Sequence, residues 1–83
     1  PDTEARRRLF ALYAADAPFS AEAIERAADR SDGVTGSFAK ELIRRALLRA
    51  AVQGRTAHDG DLDAALAELM DDREALTRRL VGG

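Results

Sequence analysis

At 83 residues the chain has room for one domain with a single core, burying about 60–65% of the surface of its unfolded form. Its 46% hydrophobic and 34% charged residues describe a globular chain rather than a disordered one. The absence of cysteine excludes disulfides, thiolate chemistry and cysteine-ligated zinc. A net charge of -2 and a pI near 5.3 argue against a dedicated nucleic-acid binder, which needs a concentrated basic surface.

The pattern predicts helices throughout and no strand. Asp2 or Thr3 can cap a first helix running to about Ala15, with Leu9, Leu12 and Tyr13 on one side, and Asp16-Ala17-Pro18 ends it. Ser20 caps a second helix through about Arg30, with Phe19 placed to pack on Ile24 as a hydrophobic staple. Gly33 breaks the chain, and Thr35 is well placed as N-cap of a third helix from Gly36 to about Gln53. That helix carries a broad stripe of Ala39, Leu42, Ile43, Ala46, Leu47 and Ala50, and Gly54 is its expected stop. Asp59 can cap a fourth helix facing inward with Leu62, Ala65, Leu66 and Leu69. Asp71 and Glu74 form a capping-box-like pair, so either a fifth short helix spans Leu76 to Leu80 or the fourth continues through it. The expected fold is all-α, a small bundle of four to five helices occupying 1–83 as one domain, with the third helix at its centre.

Charge is unevenly spread. Arg6-Arg7-Arg8 and Arg44, Arg45, Arg49 and Arg55 are basic clusters, whereas Asp59 to Asp72 contains acidic residues and no lysine or arginine. Such asymmetry suits contact with another protein surface, although solvated helix faces account for it more simply. No stretch is apolar enough to span a membrane and no signal peptide is visible, which predicts a cytoplasmic setting with no membrane partner. The chain starts at Pro1 rather than methionine, which predicts a domain of a longer protein.

Several chemistries lack their residues. There is no G-x-x-x-x-G-K-[ST] phosphate loop, so the chain cannot hydrolyse ATP unaided. Asp59, Asp61 and Asp63 have the alternate spacing of a calcium loop, but Ala64 and Met70 stand where that loop needs glycine and glutamate. Those aspartates suit the positive end of the fourth helix instead. His58, the single histidine, is expected at a surface or capping position. Ser20, Ser31 and Ser37 all fall at helix caps or first turns, which leaves no serine nucleophile scheme. A helix-turn-helix reading of the second and third helices fails on its long, glycine-rich turn and on the acidic balance.

The turn Ser31-Asp32-Gly33-Val34-Thr35-Gly36-Ser37-Phe38 opens directly into the third helix. A helix start leaves bare amides with partial positive charge, and small residues there let a bulky or anionic group approach the backbone. Pro1-Asp2, Arg6, Leu9-Phe10 and Tyr13, then Asp32-Gly33-Val34-Thr35-Gly36-Ser37 followed by Glu41-Leu42-Ile43-Arg44-Arg45-Ala46, and finally Asp61-Leu62 with Ala65-Leu66 together resemble the small C-terminal helical lid of AAA ATPases. The resemblance covers nearly the whole chain and lies in the order and spacing of the motifs.

It implies a lid that closes over ATP or ADP bound by a larger subdomain absent from this sequence, which would also bind magnesium. It further implies orientation changes with nucleotide state and contact with neighbouring subunits of a homo-oligomer, expected to be a hexamer. Such a fragment is not itself an enzyme, and no bound cofactor is expected for it alone. By position, Gly36 and Ser37 correspond to the small pair opening the family's sensor-2 helix, against the nucleotide. Tyr13 corresponds to a position that approaches the adenosine, and a half-buried core aromatic explains it as well. Ala39 stands where many members carry a sensor-2 arginine, with Lys40 next, and Phe38 replaces a common acidic residue. The alternative function is a free-standing helical interaction or adaptor module docking through its charge asymmetry.

Overall fold

The computed structural model describes residues 3–14, 16–31 and 36–82. Thr35, the expected third-helix cap, lies outside the described residues with Asp32, Gly33 and Val34, as do Pro1, Asp2, Ala15 and the side chains of Arg6 and Tyr13. Four helices make up the described chain, α1 (Thr3–Tyr13), α2 (Ala21–Arg30), α3 (Gly36–Val52) and α4 (Asp59–Gly82). The all-α bundle is therefore the fold, with no strand among the described residues.

Each helix touches two others, α1 packing on α2 and α3, and α4 on α3 and α2. Among the described residues the backbones of the α1–α4 and α2–α3 pairs do not approach closely, as expected of diagonals in a four-helix bundle. The core is built from Phe10 of α1, Ala23, Ala27 and Ala28 of α2, Ala39, Leu42, Ile43 and Ala46 of α3, and Leu62, Ala65 and Leu66 of α4. So many alanines at the contacts let the helix backbones approach closely, while the few large side chains fill the centre.

The α1 face is rotated from the expected one. Phe10 and Ala14 point inward, one helical turn apart, and Leu12 is 69% exposed, because it lies about 200° around the helix from Phe10. On α3 the expected stripe holds except for Leu47, which is 40% exposed. Leu9 is half-buried.

The helix ends follow local chemistry. Ser20 is the N-cap of α2, its Oγ accepting the Ala23 N–H at 3.1 Å. Phe19 and Ile24 both pack against the core edge, as a staple requires. Ser31 closes α2 from a fully buried position, its N–H donating to the carbonyls of Ala27 and Ala28 and its Oγ donating to Ala27 at 2.6 Å. Gly54, with φ of 68°, ends α3 in a Schellman motif, where Arg55 N–H donates to Ala50 and Gly54 N–H to Ala51.

One expectation for α4 is corrected and one alternative is decided. Asp59 is not its cap; the cap is His58, whose Nδ1 accepts the Gly60 N–H at 3.0 Å while the Asp61 carboxylate accepts the His58 N–H at 3.0 Å. This is a capping box with histidine in the serine position. No separate fifth helix exists either, because α4 runs unbroken to Gly82. Between Asp61 and Val81 it contains no glycine or proline to stop it. Glu74 and Arg78 pair one turn apart at 2.9 Å across the expected break.

Candidate functional site

The start of α3 carries the two sequence-predicted residues that share one place. Gly36 is the first helical residue and Ser37 the next, exposed to solvent. The first turn contains no acidic side chain, so nothing within it opposes the partial positive charge of the free amides. Immediately beyond, Phe38 packs against the core and Ala39 is buried at 1% exposure. The helix is thus anchored by its third and fourth residues, Phe38 and Ala39, while Ser37 before them is exposed. Tyr13 ends α1; its side chain lies outside the described residues, so its relation to Gly36 and Ser37 is not part of the geometry.

No arginine comes from α3 at this end. Ala39 faces inward and Lys40 is exposed. A cation from another helix reaches Phe38: the Arg73 guanidinium of α4 sits over its ring at 5.7 Å from the centroid. A stacked guanidinium of this kind keeps its donors at the ring's edges free for other acceptors.

At the opposite end of α3 lies an ion-pair cluster that the sequence reading did not foresee. Asp61, 1% exposed, accepts from Arg55 through two bonds, Nη1 to Oδ2 at 2.7 Å and Nη2 to Oδ1 at 2.8 Å. Arg49 Nε stands 3.7 Å from Oδ1. The bonds from Arg55, and then the His58 N–H, hold the Asp61 carboxyl well below the usual carboxylate range. The signal available in the sequence was Asp61 three residues after a histidine able to cap, with Arg55 directly after the helix-ending Gly54.

The alternating aspartates of α4 are each directed at a different partner. Asp59 accepts from Ser20, at 2.8 Å from its N–H and 2.7 Å from its Oγ, and these bonds lower its pKa, the hydroxyl contributing most. Asp61 takes Arg55, and Asp63 takes Arg26 at 3.1 Å. The three carboxylates therefore tie α4 to α2 and to the α3–α4 turn rather than converging on a common point. Among the described residues no cluster of three or more histidine, aspartate or glutamate side chains is arranged to hold a metal, and no helix is long and apolar enough to cross a membrane.

Two open surfaces complete the description. The α1–α2 side holds a shallow groove of roughly 530 Å³. The outer face of α3 carries Leu48 and Val52, 50% and 78% exposed, beside Arg44, Arg45 and Arg49. Those arginines are already engaged, Arg44 with Glu41 at 2.6 Å and Arg49 with Glu68 at 3.0 Å. In comparisons with known proteins, no protein-family model matches the chain and no curated protein matches it.

Proposed function

We propose that this domain is the C-terminal lid of an AAA ATPase, closing over ATP or ADP held by a larger subdomain of the same protein. The observation that carries the reading is the start of α3. Gly36 and exposed Ser37 begin the helix with small residues, which suits the approach of an anionic ligand presented by another body, while Phe38 and Ala39 fix its direction. The order of motifs along the chain supports it, as does the four-helix bundle.

On this reading the domain senses and encloses nucleotide, and cleavage chemistry and magnesium belong to the larger subdomain. Ala39 supplies no arginine to the phosphates, and Arg73, held over Phe38, is a candidate for that role. Movement of the bundle as a rigid unit would then couple nucleotide state to neighbouring subunits of a cytoplasmic ring, expected to be hexameric. The exposed Leu48 and Val52 favour the second reading, an adaptor module that docks through α3.

The two readings separate at the gene. A phosphate loop and an acidic magnesium-binding strand encoded upstream of Pro1 are expected, and their absence overturns the lid. The 83-residue chain alone should show little ATP affinity by NMR titration, so submillimolar binding would contradict the division of labour. In the full-length protein Gly36→Val should weaken nucleotide binding by crowding the helix start. Unchanged binding in a folded variant removes Gly36 from the site.

A further inference from the structure

The start of α4 rests on one atom that can change its character. Gly60 N–H donates to Nδ1 of His58 at 3.0 Å, so that nitrogen carries a lone pair and no proton. The proton of the neutral ring therefore sits on Nε2, which stands 3.9 Å from Asp61 Oδ2. A serine or asparagine cap accepts through an oxygen that keeps its lone pairs at every pH near neutrality. Imidazole differs, because a second proton occupies Nδ1 and turns both ring nitrogens into donors. Gly60 is fitted to this ring. A β-carbon built on it would lie 2.8 Å from Cε1 and 3.0 Å from Nδ1 of His58, closer than packed atoms come. Glycine is otherwise a poor helix residue; here it leaves the space that the ring occupies. A side chain at 60 would push the imidazole outward into solvent, where its side chain is already 63% exposed.

Charged groups from each neighbouring element surround this cap. Asp59 and Asp61 of α4 attract a charged ring. Arg55 of the turn, 2.7 Å from Asp61, and Arg49 of α3, 3.7 Å from it, repel one, as does the positive end of the helix. From α2, Arg26 acts on Asp59. Attraction and repulsion act together on the ring, so its protonation is followed locally, at Gly60, and not through the melting temperature. Two further bonds do not involve the ring. The Asp61 carboxylate accepts the main-chain N–H of His58 at 3.0 Å, and Asp61 N–H donates to the His58 carbonyl at 2.9 Å. Both survive a charged imidazole.

We propose that His58 is an acid-released cap: the neutral ring holds the first turn of α4 through Nδ1, and protonation frees the Gly60 N–H to water. The release is confined to the turn between Asp59, anchored on Ser20, and Asp61, anchored on Arg55. The α3–α4 connection thus stays closed while the helix start loses one bond. This switch stands apart from the ATPase reading, and its test uses no nucleotide.

The test is NMR of the isotope-labelled 83-residue chain between about pH 8 and about pH 5, the range in which histidine ordinarily changes charge. At the upper end a scalar coupling across the hydrogen bond should join the Gly60 nitrogen to His58 Nδ1, and it should vanish at the lower end. Gly60 amide exchange, corrected for its intrinsic pH dependence, should become about two- to tenfold faster as the ring gains its proton. His58→Asn keeps an accepting cap with no proton to gain, so the Gly60 amide should stay protected without pH dependence in this range. Gly60→Ala should remain helical by circular dichroism, show no coupling to Nδ1, and exchange at a pH-independent rate after the same correction. Absence of the coupling in the wild-type chain at about pH 8, Gly60 protection that does not change as the ring titrates, or a pH dependence retained in His58→Asn overturns the proposal. Should Gly60→Ala unfold, the wild-type coupling and His58→Asn decide.

Discussion

Arg55 grips Asp61 with both terminal nitrogens, at 2.7 and 2.8 Å, across the turn that reverses α3 into α4. Both halves of the contact depend on local backbone signals. Gly54 at φ 68° swings Arg55 back toward the helix it has just left, and the His58 cap holds Asp61 at the third position of α4. A bidentate charge pair of this kind is geometrically demanding, and breaking it leaves a buried charge without its partner.

Asp61→Asn removes the buried charge and takes the carboxylate from two partly exposed arginines, Arg55 and Arg49, so it should lower the melting temperature at neutral pH, by about 4–8 °C for each kcal/mol lost, measured by circular dichroism. The pH dependence has a defined sign. Asp59 and Asp61 both have carboxyl pKa values lowered in the folded state, so each contributes its full stability above the unfolded value near 4. That contribution is lost as pH falls through the lower folded value. Melting temperature should be flat from about pH 7 to about pH 5 and fall below about pH 4, and Asp61→Asn should flatten the acid limb. An identical acid limb in the variant would show that Asp61 does not carry it.

Ser20 joins two jobs that a sequence presents as one. Its hydroxyl accepts the Ala23 N–H and donates to Asp59 at 2.7 Å, linking the start of α2 to the start of α4. Ser20→Ala should cost about 0.5–2 kcal/mol in chemical denaturation. Aspartate is ordinarily as good an N-cap as serine, but here it would face the Asp59 carboxylate at hydrogen-bonding distance. Ser20→Asp should accordingly be less stable than Ser20→Ala at pH 7, and the gap should narrow below about pH 4 as one carboxyl takes up a proton. Equal stability of the two variants at pH 7 would mean that the Asp59 contact is not maintained in solution.

Position along α4 divides residues of one type into core and surface. Leu66 is 1% exposed and Leu80 is 78% exposed on the same helical face. Leu66→Ala should cost about 2–5 kcal/mol through lost burial and the cavity it leaves, whereas Leu80→Ala should change stability by under about 0.5 kcal/mol. A large loss at Leu80 would mean that the end of α4 folds back on its own bundle.

How far the sequence reveals this molecule depends on whether the deciding interaction is local. Ser20, Ser31 and Gly54 act within a few residues of themselves, and the boundaries of α2 and α3 they set follow the pattern of caps and periodicity closely. The phase of α1 does not, because choosing between the Leu9–Leu12 side and the Phe10–Ala14 side depends on which face α2 and α3 cover. The Asp71–Glu74 pair resembles a helix start, yet a capping box stabilises a break only where the chain has reason to break, and none of the intervening residues supplies one. The position of Asp59 suggests a cap, but the cap is His58, and the partner of Asp59 is Ser20, 39 residues away. At the candidate site the small pair Gly36-Ser37 was visible in sequence, whereas Arg73 over Phe38 required the tertiary packing of α4 on α3.

Gly54 provides the most local prediction. Its φ of 68° lies in the left-handed region, which side chains with a β-carbon adopt at a cost of roughly 1–2 kcal/mol. A β-carbon built there meets no atom within 4 Å, so substitution adds backbone strain without a steric clash. Gly54→Ala should destabilise by about 1 kcal/mol, and Gly54→Asn by less, since asparagine tolerates this conformation better. Gly54→Val should be worse than alanine because its branched side chain restricts the backbone further. The order Gly, Asn, Ala, Val in denaturation midpoint is the expected result, with the slope of each transition unchanged. Were alanine to match glycine, the α3–α4 turn would have to reach Asp61 with Arg55 by a different backbone path, and the paired hydrogen bonds between those two side chains would lose their geometric basis.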